Sequence, residues 1–164
     1  MIRSTLATGL MAVLCWFVSA GSARAQDEAV PVDRIPKAVM SALLGKFPKA
    51  AISKSSRTKE DGEVVYDLEF TDGRGKAEAD ITEKGRFVNY ERAIAASALP
   101  KAVRDAVEKR YPKATVKEVM KETEVKGKSE RTSAYEVVMV QAAGQDVEVR
   151  VSPAGKILED TTGK

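Results

Sequence analysis

Ile35-Pro-Lys-Ala-Val-Met-Ser-Ala-Leu-Leu-Gly-Lys-Phe-Pro-Lys-Ala50 and Leu99-Pro-Lys-Ala-Val-Arg-Asp-Ala-Val-Glu-Lys-Arg-Tyr-Pro-Lys-Ala114 align without gaps at an offset of 64, and eight of the sixteen positions are identical. Unrelated stretches would agree at about one position, so the chain carries an internal duplication. In both copies a large apolar residue recurs every fourth position: Ile35, Val39, Leu43 and Phe47, then Leu99, Val103, Val107 and Tyr111. That spacing lines one face of a helix of about three turns and makes the stripe core. Asp33 and Ser97 stand before the helices, where either side chain can accept from the free N–H groups of the first turn. Pro36 and Pro100 fall inside that turn, where no donor is lost. Pro48 and Pro112 bar the helical conformation at the residue before them, so each helix should stop near Phe47 or Tyr111.

Beyond each helix the apolar period drops to two. Val64, Tyr66, Leu68 and Phe70 alternate with Val65, Asp67 and Glu69, and after Asp72-Gly73-Arg74-Gly75 the residues Ala77, Ala79 and Ile81 alternate with Glu78 and Asp80. This reads as a hairpin with one apolar face. In the second copy Tyr135, Val137 and Met139 lead through Ala143-Gly144 to Val147, Val149 and Val151. Turns at Lys84-Gly85 and Ala154-Gly155 precede short strands around Phe87-Val88 and Ile157-Leu158, and an earlier strand follows each helix, near 51–57 and 115–123. The expected fold is α+β: two tandem units, each one helix followed by about four antiparallel strands, with the helix on one sheet face. The units span 26–92 and 93–164. The link from Ala93 to Ala98 is short, and a unit of about 65 residues is marginal alone, so the two should pack together. Lys121 to Arg131 reads as a charged, solvated hairpin tip.

Upstream, Arg3 precedes an uncharged apolar run from Leu6 to Val18 that ends in Ala23-Arg24-Ala25. Thirteen residues fall short of the roughly 20 that a bilayer span needs, and residues 1–25 read as a signal peptide cleaved after Ala25. Cys15 is preceded by Leu14, where a lipoprotein site wants a small residue, so lipid anchoring is not expected. No membrane span remains after cleavage, and the expected location is periplasmic or secreted. Cleavage removes the only Cys and the only Trp, leaving 139 residues that must fold on a hydrophobic core without a disulfide. It also removes two basic residues, which brings the net charge from +3 to +1. Nucleic acid binding depends on many uncompensated cations, so it is not expected.

The chain contains no histidine. The commonest general base and transition-metal ligand are therefore missing, and without a mature Cys so are the thiolate nucleophile and the zinc-thiolate site. Ser56-Arg-Thr-Lys59 matches the Ser-x-x-Lys of penicillin-recognising hydrolases, but it falls at a strand end rather than a helix start and has no companion motif. No catalytic residue, cofactor or metal site is assigned. The sheet face opposite the helices is the candidate binding surface. By alternation it carries Asp67, Glu69, Glu78 and Asp80 from the first unit and Glu136, Val138, Val140, Glu148 and Arg150 from the second. Such a face suits a partner with basic groups and an apolar spot. Calcium would find oxygen ligands there but no EF-hand spacing. Tyr66 and Tyr135 alternate with the buried set and read as core.

The helix with Leu-Pro-x-x-Val, the aromatic-Pro pair that ends it, the Tyr on the next major strand and the Gly-Lys turn before the last strand resemble PepSY-like domains. These are also described as β-lactamase-inhibitor-like. The resemblance runs from Ile35 to Glu91 and again from Leu99 to Asp160. It implies an exported bacterial protein of tandem helix-plus-sheet units that binds or inhibits an envelope protein or peptidase through its sheet. A cell-envelope sensor for a small ligand or cation is the alternative reading. The cysteines and exposed aromatics of β-lactamase inhibitor protein have no counterpart here.

Overall fold

The computed structural model describes residues 27–60 and 62–161. The expected signal peptide, with its cleavage site and Cys15, lies outside them. In chain order the elements are β1 (Glu28–Ala29), α1 (Lys37–Lys46), β2 (Ala51–Glu60), β3 (Glu63–Thr71), β4 (Lys76–Thr82), β5 (Phe87–Ala93), α2 (Lys101–Arg110), β6 (Thr115–Lys126), β7 (Ser129–Val140), β8 (Asp146–Val151) and β9 (Ile157–Asp160). Two 3-10 turns, Val32–Arg34 and Ala96–Ala98, precede the helices.

The nine strands form one sheet in sequence order, every neighbouring pair antiparallel. Two expected sheets thus merge into one, because β5 runs on to Ala93 and pairs with β6 from Asn89↔Glu124 to Ala93↔Met120. Both helices lie on the same side. Ala77, beneath α1, stands opposite Arg92, then Lys121, then Tyr135, and Tyr135 lies beneath α2.

The stripe residues are buried as their spacing requires, with Val39, Leu43 and Val103 at 0% exposure. Around α1 the core is aromatic: Phe47 packs on Phe70 at 5.0 Å between ring centroids and edge-on to Tyr90 at 5.6 Å. Around α2 it is mostly aliphatic, with Val119, Val137, Met139, Val147, Val149 and Val151 beside Tyr111 and Tyr135. Each helix ends as its proline requires, with Phe47 N–H donating to the Leu43 carbonyl at 2.7 Å and Tyr111 N–H to that of Val107 at 2.8 Å. Tyr66 and Tyr135 are buried.

Two local expectations are corrected. Asp33 and Ser97 do not cap the helices. They sit within the 3-10 turns, the extended residues Ile35 and Leu99 intervene, and Pro36 and Pro100 occupy the N-cap positions with no side-chain cap. The stretch from Lys121 to Arg131 is a paired hairpin arm, in register out to Lys126↔Ser129. Its charges pair across strands instead of repelling, as Arg131 does with Glu124 at 2.6 Å. The arm reaches back to α1, where Glu130 takes an ion pair from Lys46 and a 2.8 Å hydrogen bond from the Tyr90 hydroxyl, and the Lys46 ammonium lies 4.5 Å from the Tyr90 ring centroid.

Candidate functional site

The sheet face opposite the helices is assembled by register alone. Strand alternation sends Glu69, Glu78, Glu91 and Glu122 to that face, and pairing sets each opposite the next: Glu69↔Glu78, Glu78↔Glu91, Glu91↔Glu122. The row therefore crosses four adjacent strands. Lys54 closes one end with a 2.7 Å bond to Glu69. Arg150 closes the other, gripping both oxygens of Glu122 at 2.7 and 2.8 Å, while the Ser133 hydroxyl adds a third bond at 2.7 Å. A second row, Asp67↔Asp80↔Asn89↔Glu124, runs beside the first, with the Asn89 amide donating to Asp80 at 2.9 Å.

Like charges directly opposite one another on adjacent strands are destabilising, and burial without an opposite charge makes matters worse. The face shows this cost as shifted titration. Burial, reinforced by Glu136, Glu78, Glu122 and Asp80, pushes the Glu91 carboxyl up to about 8. Burial followed by the fields of Asp80, Glu78 and Glu69 raises Asp67 to about 7. Burial with Glu148 and Glu78 does the same for Glu136, also to about 7. Glu122 behaves oppositely: burial opposes its charge, yet the hydrogen bonds from Arg150 and Ser133 hold it below the usual carboxylate range. Lys76 bridges Glu78 at 3.0 Å and Glu118 at 3.3 Å, and although burial opposes its charge those carboxylates keep it above the usual lysine range.

Each residue expected on this face lies on it. Asp67, Glu69, Glu78 and Asp80 cluster on β3 and β4. Glu136 stands opposite Arg150, Val138 opposite Glu148, and Val140 opposite Asp146. Val138 and Val140 are half-buried rather than an open apolar spot, and Arg150 is engaged by Glu122 and Glu159. The sequence reading missed the two glutamates that join the groups. Glu91 lay beyond a strand read around Phe87-Val88, and Glu122 stood where a strand read near 115–123 overlapped the charged tip read from Lys121 to Arg131, so neither was placed on the face. The alternation Asn89-Tyr-Glu91 was the available signal. Met120, between Ala93 and Glu136 on the same face, is 2% exposed and forms an apolar floor among the carboxylates.

Ser56 and Lys59 both lie on β2, three positions apart, so they point to opposite faces and cannot act as a nucleophile and base. Among the described residues no group of three or more carboxylates is placed to hold a metal ion, and no helix is long and apolar enough to cross a membrane.

The family model described as "Putative beta-lactamase-inhibitor-like, PepSY-like" matches residues 12–65 and 64–159. No curated protein matches the sequence. Among solved structures, a DUF2874 family protein from Bacteroides uniformis superposes with a TM-score of 0.57 at 18% identity, covering 76% of this chain and 87% of that one. A protein from Bacteroides eggerthii, described among "putative periplasmic proteins", gives 0.58 at 16% identity, covering 77% and 87%. A BLIP-like protein from Bacteroides fragilis gives 0.53 at 21% identity, covering 82% and 90%. At these identities the likeness is one of fold.

Proposed function

Because the chain belongs to the beta-lactamase-inhibitor-like, PepSY-like family, we propose that it is an exported, non-catalytic binding protein that takes a basic segment of an envelope protein on its acidic sheet face. It consists of two copies of one helix-plus-sheet unit, 26–92 and 93–164, and works in the periplasm or outside the cell. The signal-peptide pattern of residues 1–25 supports the location, as does the periplasmic description of the Bacteroides eggerthii relative.

The observation that carries this reading is the row Glu69, Glu78, Glu91 and Glu122. Four directly opposed glutamates are destabilising even with Lys54, Lys76 and Arg150 beside three of them, and local rules are broken in this way at functional or strained sites. Glu69, Glu78 and Glu122 already take Lys54, Lys76 and Arg150, so a lysine- or arginine-bearing segment laid across the strands would serve the raised carboxyls Asp67, Glu91 and Glu136 and displace their protons. A broad sheet face suits a macromolecular surface better than a small ligand, which favours concave sites.

A photo-crosslinking residue in place of exposed Lys54, at the end of the row, tests this in the native host. It should capture a discrete envelope protein, while the same probe at Glu108 on the outer surface of α2 should not. Capture should be lost when Glu69 and Glu78 are replaced by Lys. Equal capture from both positions would overturn the reading. No capture, together with a melting shift caused by cations alone, would favour the sensor alternative.

A further inference from the structure

The charges of the chain are sorted by layer. Residues 31–50 and 95–114, which carry the two helices and the turns around them, hold nine Lys and Arg against three Asp and Glu, a net +6 in a processed chain whose net charge is +1. The rest of that chain, mostly sheet, holds the balance of −5. Three of the nine cations are engaged in ion pairs, Lys46 with Glu130, Lys101 with Asp105 and Arg110 with Asp160. The other six, Arg34, Lys37, Lys49, Arg104, Lys109 and Lys113, are exposed and take no ion pair among the described residues.

Helix stability does not account for this charge. Lys37 and Lys101 open the two helices with no acidic residue in the first turn, where a cation faces the positive end of the helix dipole. Lys49 and Lys113 stand just past the other ends. Both pairs are identical between the copies, while exposed positions between them diverged, Leu44 against Glu108 and Gly45 against Lys109. A helix of 10 residues is about 15 Å long, so the cations at its two ends cannot meet on one small anion. Apolar side chains stand exposed among them: Leu44 on α1 at 41% and Val32, in the turn before it, at 47%.

We propose that the helix layer docks on the anionic surface of a phospholipid bilayer. A bilayer supplies negative charge spread over a plane, which matches cations dispersed over one side of the molecule, and an apolar layer just beneath it that takes Leu44 and Val32. The acidic face lies on the other side of the same sheet. Docking in this orientation turns that face away from the like charge of the lipid and leaves it open to a partner.

Co-sedimentation of the processed chain with vesicles of equal parts phosphatidylglycerol and phosphatidylcholine tests it. The parent should bind them at low salt, leave them at high salt and ignore vesicles of phosphatidylcholine alone. Lys49→Gln with Lys113→Gln should weaken binding about tenfold. Leu44→Glu, which copies the residue at the matched position of α2 and so keeps the helix, should weaken it as well. Lys54→Gln with Lys76→Gln removes the same charge from the opposite side of the sheet and should leave vesicle binding as it was. A parent that does not bind the anionic vesicles would overturn the proposal, including one that self-associates instead by seating its helix layer on the acidic face of a second copy. Equal weakening by the two double variants, the result expected of net charge alone, would overturn it too.

Discussion

Glu91 shows at the scale of one residue what the sheet face costs. A carboxyl held near 8 in the folded chain keeps a proton that the unfolded chain has already released above its ordinary pKa of about 4.3. Through that window the native state binds more protons, so stability contributed by protonated Glu91, and likewise Asp67 and Glu136, is full at low pH and is lost as pH rises through 7 and 8. The melting temperature should therefore be higher near about pH 5 than near about pH 9. Glu91→Gln should flatten the profile and raise the value at the alkaline end; an unchanged profile would contradict the burial assigned to this carboxyl. Gly85 and Gly155 make a second residue-scale case. Both have φ of +83°, and an added Cβ would sit 2.7 Å from the Ala38 carbonyl oxygen and 2.5 Å from that of Ala102. Gly85→Ala and Gly155→Ala should each cost about 1–3 kcal/mol in denaturant unfolding, whereas Gly45→Ala, with open space around it, should be neutral or stabilising.

The helices are where sequence and structure agree most closely, because a four-residue period and a proline after the last turn leave little freedom. Leu43 is fully buried and Val107 is 6% exposed. Leu43→Ala should lower stability by about 2–5 kcal/mol and Val107→Ala by less, since fewer methyl groups are lost. Denaturant midpoints that hardly move would contradict the core assignment. The strands were legible where one face was apolar, as in β3, β4 and β8. They were not legible where both faces are polar. The β6–β7 arm alternates Lys121, Thr123 and Val125 with Glu122 and Glu124, and the strand was read only to about Thr123, with the charges from Lys121 to Arg131 as a solvated tip. What orders it is cross-strand pairing and the burial of Thr123 at 5% and Glu122 at 9%, which composition does not reveal. The 3-10 turns were missed for a related reason, since Asp33 and Ser97 have the right chemistry to cap a helix at the wrong distance from it.

At the scale of the molecule, the duplication and the acidic face could be read from the sequence, but not their junction. The single β5–β6 pairing turns two hairpins' worth of carboxylates into a continuous row, and it depends on Glu91 and Glu122 meeting across strands far apart in the chain. Export belongs to this scale too. Mass spectrometry of the protein from its host should find an N-terminus at or within a few residues of Gln26, and a full-length cytoplasmic chain would contradict it. The central claim is that the face accepts cations as a protein surface and gives up protons in doing so. Calorimetric titration with a lysine-rich peptide near about pH 7, in two buffers of different ionisation heat, tests it most directly. The predicted result is binding with net proton release, abolished by Glu69→Lys with Glu78→Lys in a variant whose folding is unchanged. Binding without proton release, or of equal strength in parent and variant, would contradict it.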